Sequence, residues 1–510
     1  MTQYPSGVDS EQHIRTDALN ADLKKRSLKS GLITVASQPI KLALGIGSTA
    51  VLARMLTPFD FGLLAMVAPL LAFVDSLTNL GLETATVQRE KLDHQQASAM
   101  FWLSLKINAV VIGLMVLMAP VLAWFYKQAE LTGITLMLAV GVLSLCLTFQ
   151  HKSLLKRQMR FEMMTAIEVA SLVAGAVFAI GAAWLGLGYW ALVLQVLVMQ
   201  LTQSVASWFV CGWRPAKYVK NTKLDANLRE MLSYGAHLSG FRFLTRIGMQ
   251  LDRILVGYFS GAGALGFYHV AYTWAYFPFE QIYNPLFDVA VSSFSRTQHD
   301  PDLYRAYCRR GLMPIFAFSM PVLAFCFVEA REIILLLLGN QWLEAVPLFQ
   351  LLAIAPFVGS MYRVTKWLYV SIGHTQRQLR WGLIHTPVMI LAVAVGAKWG
   401  AYGVAMGYTV GICLLTYPAV AFCLKTSPLS MGDFFSVVWR PAFASVTAAV
   451  ILSASQFVLP DINNAVLSLL VKMTIFGLLY ILLWMIFPGG MQGTKEVLQN
   501  FQELRSKRKN

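Results

Sequence analysis

Three arginines, Arg242, Arg246 and Arg253, stand four and seven residues apart in an otherwise apolar stretch. On a helix turning about 100° per residue they fall within roughly 40° of one another. Like charges on one stripe repel. The stripe must therefore face water or an anion, or pair with carboxylates on neighbouring helices, for which Asp252 and Glu280 are the candidates. Arg363 and Lys366 share one face of a second apolar stretch, where snorkelling toward the membrane surface competes with a ligand role. Lys41 follows Gln38-Pro39 in the middle of a third. Proline opens the backbone ladder there, and Lys41 is too deep for snorkelling to explain. The acids Asp75, Asp252 and Glu280 either pair with these cations or bind a coupling ion. Lys41, Arg242, Arg246, Arg253, Arg363 and Lys366 outnumber the three acids, so the interior is net cationic. Such an interior suits an anion, and a guanidinium is well shaped for phosphate.

Beside the charges runs an aromatic and polar stretch: Tyr268, His269, Tyr272, Trp274, Tyr276, Glu280, Gln281, Tyr283 and Asn284. An interfacial aromatic belt accounts for Tyr268 and Tyr272. It accounts less well for Tyr276, Gln281, Tyr283 and Asn284, which run through the span and have the rings and amides that sugar faces need. Lys106, Glu168 and Arg440 lie near span ends and read as snorkelling, while Lys472 is divided between the two readings. Enzyme chemistry is not indicated. There is no G-x-x-x-x-G-K-[ST] and no H-E-x-x-H, and Gly261-Ala262-Gly263-Ala264-Leu265-Gly266 follows a membrane span rather than a strand. The six cysteines form no C-x-x-C pair, so neither a metal nor a cofactor is expected.

The elements that position these residues follow from composition. Of 510 residues, 57% are hydrophobic and 13% charged, and the mean hydropathy is +0.58. Soluble chains carry about 25% charged residues. The balance excludes a string of soluble domains, a disordered chain and a disulfide scaffold, and leaves an all-α polytopic membrane protein. Fourteen spans are predicted, at 31–53, 60–81, 99–125, 131–150, 163–185, 188–211, 231–257, 263–289, 311–330, 344–371, 379–397, 400–423, 433–458 and 464–487. With both termini cytoplasmic, 28 of the 41 Lys and Arg fall on the cytoplasmic side, counting Arg380 at the very edge of its span, and only Arg54, Lys127, Arg331 and Lys398 fall on the outer side. That asymmetry is the positive-inside pattern, and it explains the basic excess without nucleic acid. The first thirty residues carry no signal-peptide pattern, so the first span is expected to be its own insertion signal.

The chain also repeats. Phe61-Gly62-Leu63-Leu64 recurs as Leu265-Gly266-Phe267-Tyr268, displaced by 204 residues. Trp184-Leu185-Gly186 with Ala191 recurs as Trp399-Gly400 with Ala405, displaced by 214. A displacement of six spans predicts two parallel six-helix lobes related about an axis along the membrane normal. The predicted organisation is a cytoplasmic tail (1–30), an N-lobe (31–212), a cytoplasmic linker (213–230), a C-lobe (231–423), two extra helices (433–487) and a basic cytoplasmic tail (488–510).

Several motifs in order carry a resemblance over nearly the whole chain. They are LARMLTPFDFGLLAM (52–66), GLETATVQR (81–89), FWLSL (101–105), LLKRQMRFEMMTAIE (154–168), GYWALVLQ (188–195), LDRILVGYFSGAGALGFY (251–268) and GNQWLEAVPLFQLLAI (339–354). The chain resembles the polysaccharide flippases of the multidrug/oligosaccharidyl-lipid/polysaccharide (MOP) superfamily, most closely the colanic-acid-exporter type. The resemblance implies a bacterial cytoplasmic (inner) membrane protein, not an enzyme. It implies movement of an oligosaccharide on an undecaprenyl-pyrophosphate carrier between leaflets, by alternating access driven by an ion gradient with H⁺ or Na⁺ left open. The pyrophosphate would meet the cationic residues and the sugars Tyr276, Gln281, Tyr283 and Asn284, while the two extra helices could hold the lipid tail. Expected partners are the lipid-linked oligosaccharide, membrane lipids and the polysaccharide polymerase and export machinery, with the protein a monomer. The chain departs from the family at Gln250 and Arg253, where asparagine is frequent, and at Val291-Ser292-Ser293-Phe294-Ser295, where Phe-Pro-Ala-Phe-Ser is frequent. Three alternatives stand beside this reading. A drug or cation antiporter would want acids in the N-lobe. A lipid II flippase shares the need for a cationic cavity. A membrane-embedded polymerase would want a long loop.

Overall fold

The computed structural model describes residues 23–78, 86, 92–217, 250–455 and 464–487. Among the described residues the regular structure is entirely helical. The helices are α1 (Leu23–Met55), α2 (Pro58–Thr78), α3 (His94–Tyr126), α4 (Glu130–Arg157), α5 (Phe161–Trp184), α6 (Trp190–Cys211) and α7 (Leu251–Thr297). There follow α8 (Pro301–Val328), the short α9 (Ala330–Leu337), α10 (Ala345–Ile372), α11 (Thr375–Gly396), α12 (Gly400–Leu424), α13 (Met431–Ser455) and α14 (Ala465–Ile486). Eleven described stretches are long and apolar enough to cross a membrane; of these Thr375–Leu424 takes in two predicted spans, and Leu251–Phe287 covers most of the eighth with the end of the seventh. The chain is thus an all-α polytopic membrane protein. α1 fills the first predicted span but is less apolar than the others, because Gln38, Lys41 and Arg54 all fall within it. Most of the seventh predicted span, including Arg242 and Arg246, lies outside the described residues.

The chain divides into two compact units. One holds residues up to Gln250 together with Gly261–Gly266, and the other holds Leu251–Ser260 and everything from Phe267 onward. Within the first, α5 packs along α6, α4 along α6, and α3 along α4. Within the second, α11 packs along α12, α10 along α12, and α8 along α10. These are the same three pairings six spans later, so the repeat read from short motifs is also a repeat of packing. Its turns match as well. Gly186 and Gly400, the paired glycines of the second motif, both adopt positive φ (75° and 68°), which a residue with a Cβ rarely does. α13 packs on α8 and α14 on α13, outside the repeated set.

Small residues set how closely helices approach when no hydrophobic effect drives them together. Gly62 and Gly266, the glycines of the first motif, are such positions. A Cβ on Gly62 would overlap the carbonyl of Ala262, and one on Gly266 would overlap the carbonyl of Pro58. Pro58 and Ala262 are themselves 204 residues apart, so one motif makes the same backbone contact twice, once from each copy. Gly261 (φ 80°, ψ −179°) interrupts α7 at the gap predicted between the seventh and eighth spans.

α14 buries only Phe476 and Trp484, and polar contacts fix its position. Lys472 pairs with Glu329 at 2.8 Å, with side chains 19% and 1% exposed, and the Tyr480 hydroxyl donates to the Ala317 carbonyl at 2.9 Å. Lys472 is therefore a paired residue rather than a snorkelling one.

Two stability outcomes follow. Gly62→Ala and Gly266→Ala should each lower the melting point in detergent, the overpacking costing about 1–3 kcal/mol. Gly47→Ala, which meets nothing within 4 Å, should be neutral or slightly stabilising. Equal melting of Gly62→Ala and Gly47→Ala would remove the close-approach role. Lys472→Met alone should cost about 3–5 kcal/mol by removing the cation from beside the sealed Glu329 carboxylate, and Lys472→Met with Glu329→Leu should recover most of it. A double variant no better than the single would show that the pair is not the determinant.

Candidate functional site

In the second unit one helix face collects the functional side chains. Tyr268, Tyr272, Tyr276, Glu280 and Asn284 recur every fourth residue of α7, a spacing that stacks side chains along one stripe. At one end, the Tyr268 hydroxyl donates to Asp252 Oδ2 at 2.8 Å, and Asp252 is only 5% exposed. The rings of Tyr272 and Tyr276 stack with centroids 4.6 Å apart, and the hydroxyl of Tyr408 from α12 meets theirs at 3.3 and 2.9 Å. The guanidinium of Arg253 lies 5.0 Å over the Tyr272 ring.

At the other end stands an ion pair between Glu280 and Arg363 of α10. Asn284 donates to Glu280 at 3.0 Å. Arg363 sits over the rings of Phe279 and Tyr283, at 5.6 and 5.2 Å, and its backbone carbonyl accepts from the Tyr283 hydroxyl at 3.1 Å. Cation–π contacts of this kind hold a guanidinium without neutralising it. One helical turn on, the ammonium of exposed Lys366 lies 5.0 Å over Phe287. Gln281 is exposed, whereas Tyr283 packs against Phe279 and Trp367 in the core, so its ring and hydroxyl are already engaged.

The first unit has a shorter polar line. Lys41 of α1 pairs with Glu168 of α5. The Ser171 hydroxyl donates to the Glu168 carbonyl at 2.7 Å and accepts from Gln203 of α6 at 3.2 Å, while Lys152 of α4 donates to Gln203 at 2.7 Å. Asp75 is exposed on α2.

Asp252, Arg253, Tyr276, Glu280, Tyr283, Asn284 and Arg363 come together in one unit. Lys41 and Asp75 lie in the other unit. Arg242 and Arg246 lie outside the described residues. The snorkelling reading of Glu168 is corrected: it is the partner of Lys41, a half-buried ammonium within an apolar helix. A signal existed, since Glu168 is the one acid within the predicted fifth span. Tyr408 was missed because nothing in the sequence of α12 sets it apart from Tyr402 or Tyr417.

The arrangement offers a fixed guanidinium, a carboxylate partner that is itself partly exposed, and a row of phenol hydroxyls. It can hold an anion beside a polyhydroxylated group. Among the described residues no group of His, Cys, Asp and Glu is placed to hold a metal ion.

Comparison with known proteins agrees with this architecture. The family model described as "Polysaccharide biosynthesis protein" matches residues 51–347. The lipopolysaccharide biosynthesis protein WzxC of Escherichia coli (strain K12) is 21% identical over 448 residues, 86% of this chain and 89% of that protein. The succinoglycan biosynthesis transport protein ExoT of Rhizobium meliloti (strain 1021) is 25% identical over 463 residues, 88% of this chain and 91% of that protein. The solved structure of the lipid II flippase MurJ in its inward closed conformation aligns with a TM-score of 0.69 over 89% of this chain and 97% of that one, at 12% identity, a likeness of fold. The helical repeat, the motifs and the family match converge: the chain belongs to the polysaccharide biosynthesis protein family and has the fold of the MOP superfamily.

Proposed function

We propose that the protein is a flippase that carries undecaprenyl-pyrophosphate-linked oligosaccharide units across the bacterial cytoplasmic membrane for export of a surface polysaccharide. The observation that carries this reading is Arg363, a half-buried guanidinium on a membrane-spanning helix, beside a stripe of tyrosines. Arg253, Arg363 and Lys366, with Lys41, Arg242 and Arg246, take the pyrophosphate, because guanidinium and ammonium groups supply the donors that phosphate oxygens accept. Tyr276, Gln281 and Asn284, with Tyr283 behind them, take the sugars by ring faces and amides. Transport alternates exposure of this site between the two sides of the membrane, with energy from the ion gradient. The names of the two relatives, biosynthesis of lipopolysaccharide and transport in succinoglycan biosynthesis, support the substrate class.

Deletion of the gene in its source bacterium should make lipid-linked oligosaccharide accumulate and surface polymer disappear. Wild type should restore the polymer. Arg363→Ala, present in the membrane at the wild-type level, should restore less than about a tenth of it, the loss of one charge-assisted contact of about 1.5–3 kcal/mol. Arg363→Lys should fall between, since it keeps the charge and loses the fork. Normal polymer in the deletion strain, together with new sensitivity to cationic drugs, would instead mark a drug exporter and overturn the proposal.

A further inference from the structure

Arg363 and Glu280 differ in how they are held. Three contacts fix the arginine without neutralising it: the two rings beneath it and the Tyr283 hydroxyl on its backbone carbonyl. Glu280 is held by Arg363 itself and by Asn284, at 3.0 Å on the next turn of its own helix. The two side chains are 37% and 32% exposed, so the pair is open to a ligand. This contrasts with Lys472 and Glu329, whose carboxylate is sealed at 1%.

A carboxylate and a phosphate present the same pair of oxygens to a guanidinium. A phosphate that takes the terminal nitrogen of Arg363 now held by Glu280 displaces that carboxylate. The freed side chain keeps Asn284 but stands among the rings of a membrane-spanning helix without its cation. An ionised carboxylate is costly there, and the cost disappears if it takes a proton. We infer that Glu280 is a displaceable counter-ion, so that an anion binding to Arg363 is accompanied by uptake of one proton from water. The inference rests on Arg363 being an anion contact, as proposed above. The balance is simple. One Glu280 oxygen gains H⁺, no covalent bond breaks, and the site gains one positive charge against the charges of the ligand. The protonated carboxyl becomes a donor that can serve the ligand it made room for.

The groups around the pair leave Glu280 as the one to take the proton. From α7 it faces Tyr283, and from α10 it faces Arg363, which Tyr276 also neighbours. Lys366 lies one turn along α10, over Phe287, and Tyr408 of α12 reaches Tyr276. His385 of α11 stacks on Tyr362, next to Arg363 in sequence. Asp252 lies at the far end of the stripe, on Tyr268, about 18 Å along the helix from Glu280. Phenols, a lysine and an arginine do not gain protons near neutrality, and the histidine is separated from Glu280 by substitution.

The test is calorimetry on the full chain in lipid nanodiscs. The probe is geranyl-pyrophosphoryl-glucose, a diester whose phosphate acids stay ionised from about pH 5 to about pH 8. Titrations in buffers of different ionisation enthalpy count the protons taken up. Wild type should take up about one proton per ligand, with affinity falling by about three- to tenfold per pH unit over the upper part of that range. Glu280→Gln should bind at least as tightly, take up none, and show a flat pH profile. Binding by wild type without proton uptake overturns the inference and leaves the function standing, and this measurement needs no variant to fold. Uptake that persists in Glu280→Gln overturns it too, and points to His385. Failure of wild type to bind the probe overturns the proposed function and this inference together.

Discussion

The interior of a bilayer supplies no hydrogen-bond partner, so every charge within it must find one in the protein. That constraint organises the polar residues of this chain more than any other. Among the described residues, ion pairs that tie apolar segments together include Lys41 with Glu168, Arg363 with Glu280, and Lys472 with Glu329. In each, the two charges come from different segments, Glu329 from the junction of α8 and α9, so each pair both satisfies a charge and fixes a contact. The tyrosines extend the same principle to neutral groups. Tyr408 answers two hydroxyls of α7, and Tyr268 answers a buried carboxylate. Close helix approach supplies the rest, as at Gly62 and Gly266, where the absence of a side chain lets backbone meet backbone.

Much of the architecture was legible in the sequence, because hydropathy over about 20 residues is a strong signal and the repeat leaves marks at fixed spacing. The second span was read at 60–81 and α2 runs Pro58–Thr78, and the twelfth was read at 400–423 and α12 runs Gly400–Leu424. The match of Gly186 with Gly400 was read from one glycine each, and it held because both turns need positive φ. The site was legible in part for an equally physical reason. Helical periodicity tells which residues share a face, and so the stripe from Tyr276 to Asn284 could be seen. It does not tell which neighbouring helix that face meets. Glu168 therefore looked like a charge near a span end, and Tyr408 looked like any interfacial tyrosine. Partners across helices follow from packing, and packing is set by small residues whose spacing carries little information alone.

Pairing by itself does not separate structure from function, because the bilayer demands it of both. Exposure does. Glu329 is sealed, and an ion pair that no ligand can reach can only hold helices together. Arg363 and Glu280 are each about a third exposed while lying on helices apolar enough to cross the membrane. A protein that needed only to satisfy the arginine could have buried the pair as it buried the other. Leaving it open while fixing the guanidinium from below with Phe279 and Tyr283 keeps one face of the charge available and makes the glutamate the part that can leave. A pair built in this way favours exchange of one anion for another over permanent closure. This is the property required of a site that must bind an anionic headgroup on one side of a membrane and release it on the other.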